Sequence, residues 1–161
     1  MKANTFAGEL TLARKRRGLT QEQVCFSVGI SDPATLSRWE NGREIPSIGI
    51  ADKLAEIYED NILGYLYLQQ CTPIGRRVLP NIVRRDIGNS VLLLQKEHTD
   101  LNKIKDVLID IACDGVIQKE EEEDWNNSLK EIMELASACI GLTLSQNKKP
   151  LQDGGLERAC V

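Results

Sequence analysis

The stretch Gly18-Leu19-Thr20-Gln21-Glu22-Gln23-Val24, followed by Val28-Gly29-Ile30-Ser31 and then by Thr35-Leu36-Ser37-Arg38-Trp39-Glu40-Asn41-Gly42, decides the fold. It reads as two short helices around a tight turn. Thr20 opens the first, with Glu22 and Gln23 in its first turn as a capped start requires. Val24, Cys25 and Val28 supply its inner face, Gly29 breaks it, and Ile30 can plug into the core from the turn. Asp32-Pro33 starts the second, with Asp as N-cap and Pro at the first helical position. This helix runs from Pro33 to about Glu40 and ends at Asn41-Gly42. Leu36 and Trp39 lie three apart and are expected to pack inward, which turns Ala34, Thr35, Ser37 and Arg38 outward.

Outward from this core, helical periodicity begins at Phe6, places Leu10, Leu12 and Ala13 near one face, and stops at Gly18. Ser47 caps a fourth helix, with Ile48, Ile50, Ala51, Leu54, Ala55 and Tyr58 expected to be buried. Asn61 begins a fifth, Ile62 to Gln70, carrying Leu63, Leu66 and Tyr67. Residues 1–70 are therefore expected to form one compact five-helix unit. Thr72-Pro73 and Leu79-Pro80 punctuate a connector over 71–89 that holds one short helix. A long helical pattern runs from about Asn81 to Cys113, where Leu94, Leu101, Ile104, Leu108 and Ile111 recur at steps of seven, three, four and three, giving a single apolar seam. Asp114-Gly115 turns the chain. A second long helix is expected from about Lys119 to Leu144, with Trp125, Leu129, Ile132, Ala136, Cys139 and Ile140 inward. Residues 90–145 thus read as a helical hairpin. The stretch 146–161 is polar, Gly-rich and patternless, and is expected to be a disordered tail.

Composition supports an all-α reading. The chain has 161 residues, of which 42% are hydrophobic but only 4% aromatic, so Leu, Ile, Val and Ala must fill the core. No apolar run approaches the roughly 18 to 20 residues of a membrane span, and a cytoplasmic location is expected. Five scattered cysteines and one histidine, His98, give no zinc spacing and no disulfide framework. Free cysteines in apolar helices act as small hydrophobes. Residues 1–70 carry 8 Lys+Arg against 9 Asp+Glu, residues 71–89 carry 4 against 1, and residues 90–161 carry 8 against 14. The acidity of the whole chain, net charge -4, therefore lies in its C-terminal half. It neither supports nor excludes a nucleic-acid partner, because phosphate contact depends on where charges sit.

The quoted stretch, extended through Pro46-Ser47, resembles the helix-turn-helix core of the XRE and phage-repressor family over about residues 6–70. Apolar, polar and glycine positions agree over some thirty residues; one departure is that Ser31-Asp32-Pro33-Ala34 is a residue longer than the usual turn. The resemblance implies a five-helix lambda-repressor-like domain that binds double-stranded DNA, here followed by a helical hairpin domain. An α-helix fits the major groove, with residues near its N-terminus reaching base edges. Ala34, Thr35, Ser37 and Arg38 are the candidate base-contacting residues. The planar fork of Arg38 suits guanine O6 and N7, Thr35 a thymine methyl, and Ser37 a base or a phosphate. Gln21, at a helix N-terminus that favours phosphate, and Asn41 and Arg43 beyond the third helix are phosphate clamps by resemblance. Arg14 and Glu40 occupy positions of a scaffold ion pair in relatives. The run Lys15, Arg16 and Arg17 reads first as a solvated face.

Other constellations are weaker. Asp110 to Glu121 fits an EF-hand loop at several positions, but Ala112 stands where an oxygen ligand is needed, so a glycine-mediated turn with Ile117 plugging the hairpin is expected. The acids Glu120 to Asp124 suit a helix N-terminus. No catalytic set can be assembled around one histidine, there is no Walker loop or G-x-G-x-x-G, and no enzyme activity, cofactor or metal is expected. The expected function is a transcription regulator, a repressor acting as a homodimer on operator DNA through the C-terminal helices. Two alternatives stand beside it. One is an antitoxin-like or mobile-element adaptor whose hairpin holds a protein partner; the other is a regulator whose hairpin binds an effector.

Overall fold

The computed structural model describes residues 5–113 and 115–145, and all regular structure among them is helical. The order is α1 (Phe6–Arg16), α2 (Gln21–Val28), α3 (Pro33–Glu40), α4 (Ile48–Tyr58), α5 (Asn61–Cys71), α6 (Gly75–Val78), α7 (Ile87–Ala112) and α8 (Glu122–Thr143), the last preceded by a 3-10 turn over Lys119–Glu121. The expected tail over 146–161 lies outside the described residues, as does Asp114 of the turn. No helix among the described residues is long and apolar enough to cross a membrane.

Helices α1 to α5 close around one core in which Leu10, Leu36, Leu54, Ile62, Leu63 and Leu66 are fully buried. Phe6 meets Tyr67 edge to face, centroids 5.4 Å apart, a favoured aromatic geometry. Local signals set the helix ends. Thr20 and Gln23 form a reciprocal capping box, and Gly29 closes α2 in the left-handed conformation at φ 81°, which glycine adopts without a Cβ clash. Ile48, expected in the core, is 62% exposed. It stands one turn ahead of Ala51, where the buried stripe of α4 begins, and overhangs the core's edge.

The connector is bound to this core rather than draped over it. Ile82 is buried among the α1–α5 side chains, Tyr65 donates to the Pro80 carbonyl at 2.7 Å and Gln69 to Asn81 at 2.7 Å. Arg84 grips two buried acids, Glu9 at 2.8 Å and Asp60 at 2.6 Å, and Arg16 reaches Asp60 from the other side at 2.8 Å. These contacts hold residues 81–86 extended, so α7 starts at Ile87, six residues later than the apolar pattern indicates. Asp86 fixes that start by accepting from the Asn89 amide at 2.9 Å.

Helices α7 and α8 pack as the expected hairpin, but α8 is turned by one residue. Positions 128, 131, 135, 138 and 142 are buried or half-buried, with Ser128 and Ala138 at the centre. Of the expected inward set, Trp125, Ala136 and Ile140 are half-buried, whereas Leu129, Ile132 and Cys139 are exposed. The seam holds the small side chains at 128 and 138 together with Leu135 and Leu142, while Leu129, Ile132 and Met133 lie on the exposed flank. Ile117, expected to plug the turn, is exposed as well. The lower end of α8 reaches the first core: Ile140 and Leu144 pack against it, and Ser137 donates to the Asn81 carbonyl.

Replacing Ile82 with Ala removes a buried side chain that pins the connector, and should lower unfolding free energy by about 2–5 kcal/mol. Urea denaturation measures it; a change below about 0.5 kcal/mol, the size of an ordinary surface substitution, would show that the connector contributes no core.

Candidate nucleic-acid interface

Helix α3 is presented by its neighbours through one buried carboxylate. Glu40, at the last turn of α3, accepts from Arg14 of α1 in a two-pronged pair, Nε to Oε1 at 2.6 Å and Nη2 to Oε2 at 2.9 Å. Gln21, the first residue of α2, donates to the same Oε2 at 2.8 Å. Arg14 also donates to the Leu19 carbonyl at 2.9 Å, which fixes the α1–α2 turn. The hydrogen bond to Glu40 holds the Arg14 guanidinium above its ordinary value. Three helices are thus tied by one side chain; Thr11 of α1 adds a bond to the Glu40 carbonyl at 3.4 Å, and Leu36 and Trp39 supply the apolar contact of α3 with the core.

The start of α3 is capped by Asp32, which accepts from the Ala34 amide at 2.9 Å, with Pro33 in its first turn. Ala34 is exposed, and Thr35, Ser37 and Arg38 are half-exposed. These four residues share the face of α3 opposite Leu36 and Trp39. Asn41 and Arg43 follow at the exposed end of the helix. Asn41 donates to the Ser37 carbonyl at 2.8 Å and so closes the helix. Gln21 is half-buried, and its amide is turned inward onto Glu40, so only its backbone N–H stands at the start of α2. Arg16 and Arg17, part of the basic run, face away from this surface toward Asp60 and Glu59.

Two features of the face escape sequence reasoning. Arg38 is not free: Nη2 donates to Thr35 at 2.9 Å, Nε lies 2.9 Å from Glu44 and Nη1 lies 4.0 Å from Asp32. The Glu44 contact is close as an ion pair but is not aligned as a hydrogen bond, since Nε has no hydrogen-bond partner. The only signal for it was an acid six residues after Arg38, beyond the Gly42 turn. Phe26, on the outer side of α2, is 89% exposed; an aromatic next to the core residue Cys25 carried no sign of pointing to solvent.

Residues 10–59 match the family model described as helix-turn-helix. This segment is a helix-turn-helix of the XRE type. No curated protein and no solved structure matches the chain. The helix-turn-helix match covers α2 and α3 entirely and ends at the close of α4, so it takes in all three partners of the Glu40 network. It supports a role as a DNA-binding transcription regulator for a chain that carries this segment.

Glu40→Ala leaves the largely buried Arg14 guanidinium without its partner and should cost about 3–5 kcal/mol. The double variant with Arg14→Met should recover part of that loss. Chemical denaturation measures both; a single-variant loss below about 1 kcal/mol, the range of exposed pairs, would contradict the hub assigned to Glu40.

Proposed function

We propose that the chain is a repressor that binds operator DNA as a homodimer, a cytoplasmic binding protein rather than an enzyme. In this reading residues 1–70 read the DNA, 71–89 fasten the hairpin to them, and 90–145 carry the dimer contact. The observation that carries it is the face of α3 held by Glu40. Ala34, Thr35, Ser37 and Arg38 enter the major groove, Arg38 reading guanine. Asn41 and Arg43 hold phosphate at one end, and the start of α2 at Gln21 offers backbone N–H groups to phosphate at the other.

Arg38 must leave Glu44 to reach a base. Exchange of an exposed carboxylate for guanine keeps the guanidinium paired throughout, and makes Glu44 a barrier to nonspecific binding. Support for the dimer comes from α8: its rotation leaves Leu129, Ile132 and Met133 exposed at 37–45%, and α7 separately exposes Leu92 at 64% and Ile109 at 51%. Apolar residues of this number on one hairpin suit a partner surface. A single small domain makes few base contacts, and two half-sites about one helical turn apart supply the missing affinity.

Selection of bound duplexes from a random library, run at fixed salt, should return a two-fold symmetric motif for the wild type, with Arg38→Ala relaxing it at a guanine position. Recovery of only unselective, salt-sensitive DNA would refute the operator-binding reading. On the selected duplex, Glu44→Gln should tighten binding by up to about fivefold, since an exposed ion pair of up to about 1 kcal/mol no longer competes for Arg38. Fluorescence anisotropy reads this; weaker binding by Glu44→Gln would mean that Glu44 positions Arg38 rather than masking it.

A further inference from the structure

The connector carries more positive charge than the fold uses. Residues 71–89 hold four arginines against one acid. Arg84 is turned inward onto Glu9 and Asp60. Arg76, Arg77 and Arg85 are exposed, and no carboxylate pairs with them among the described residues. Arg76 and Arg85 reach only backbone carbonyls, of Gln70 at 2.8 Å and of Val83 at 3.3 Å. All three line one open cleft of about 490 Å³, which Lys130 of α8 joins. The acids of that cleft are answered by lysines, Glu97 by Lys96 at 3.0 Å and Glu134 by Lys130 at 3.9 Å. The arginines are thus a local surplus of cation on a chain whose net charge is -4.

Contacts place this surplus beside the end of α3 that carries Asn41 and Arg43. Gly42 packs on the start of α1, where a Cβ on the glycine would lie 3.5 Å from that of Ala7. The neighbouring Phe6 amide donates to Gln70 of α5 at 2.7 Å, and the Gln70 carbonyl is the acceptor for Arg76. Tyr67 of α5 donates to the Pro46 carbonyl at 2.9 Å. The loop bearing Arg43 and the α5–α6 corner bearing Arg76 therefore share one neighbour, the start of α1. We propose that Arg76, Arg77 and Arg85 form a second contact with the phosphate backbone of the bound DNA duplex, outside the segment 10–59 that matches the helix-turn-helix family. It rests on the proposed DNA-binding reading of α3, flanks that contact and does not replace it. Forked guanidinium groups match phosphate oxygens, and a duplex offers a charge about every 1.7 Å along its axis, so several exposed arginines can be satisfied at once. A small anion instead needs a pocket that encloses most of its surface. Because Ile82 and Arg84 pin the connector to the first core, these side chains are carried into place with α3 at little cost in chain ordering.

The test is fluorescence anisotropy of the full-length chain on the selected duplex and on a random duplex, across a series of salt concentrations. Arg76→Gln/Arg77→Gln should reduce the slope of log affinity against log salt by about 2, roughly 0.9 per lost phosphate contact. At 0.1 M salt it should weaken binding at least about tenfold on both duplexes and leave the selected motif unchanged. Arg85→Gln should lower the slope by a further ~0.9. Lys103→Gln/Lys105→Gln, the same charge change farther along α7, should leave the slope as it is. Arg77→Gln alone keeps the test if loss of the Arg76 bond to Gln70 disturbs the α5–α6 corner, which far-UV circular dichroism reports. An unchanged slope in the arginine variants while the wild type binds would overturn this contact and leave the role of α3 intact. An equal fall in the lysine variant, or a changed motif, would overturn it too. Failure of the wild type to bind either duplex would overturn both readings.

Discussion

A single carboxylate sets the geometry on which the outward face of α3 depends. Glu40 sits in the last turn of α3, and its two oxygens are filled by Arg14 from α1 and Gln21 from α2. A charge buried to this degree is tolerated only with its hydrogen bonds complete, so the three helices cannot slide past one another without exposing it to a large desolvation cost. Directional bonds thereby specify what apolar packing alone leaves adjustable: the roll of α3 about its axis, and hence which of its side chains point outward. Leu36 and Trp39 supply the adhesion, and Glu40 supplies the orientation.

The second half of the chain is attached by the same means at another point. Asp60 and Glu9, both buried, are neutralised by Arg84 from the connector and by Arg16, while Ile82 enters the core beside them. The hairpin is therefore joined to the helix-turn-helix through a pinned strap and through Ile140 of α8 and Leu144 just after it. The hairpin itself is the less apolar of the two units at its seam, with Ser90, Glu97, Ser128 and Ala138 among its buried positions, while Leu129, Ile132 and Met133 lie exposed on the flank.

Much of this was legible in the sequence, and the division follows the range of each interaction. Thr20 with Gln23, Asp32-Pro33 and the glycines act within a few residues, so α1 to α5 and the inward pair Leu36 and Trp39 could be read directly. The start of α7 was misplaced because the apolar pattern from Asn81 onward includes Ile82, whose burial comes from the first core and not from a helix face. The face of α8 was misread by one residue for a related reason: periodicity ranks positions by hydrophobicity, whereas close helix contact favoured Ser128 and Ala138. Long-range ion pairs leave no local trace. Nothing near Arg84 announces Glu9, and an acid six residues beyond Arg38, past the Gly42 turn, matches no helical spacing that would announce their contact. In the site, the outward positions were legible from the spacing within α3, and their engagement by neighbours was not.

The most direct measurement is amide chemical-shift mapping of the ¹⁵N-labelled full-length chain titrated with duplex DNA at low salt. If α3 lies in the groove with the start of α2 on the backbone, the largest shifts fall on residues 20–22 and 33–43. Shifts concentrated instead at Arg76, Arg77, Arg84 and Arg85, the basic connector, or along α7 and α8, would place the DNA on another face and contradict the reading role of α3.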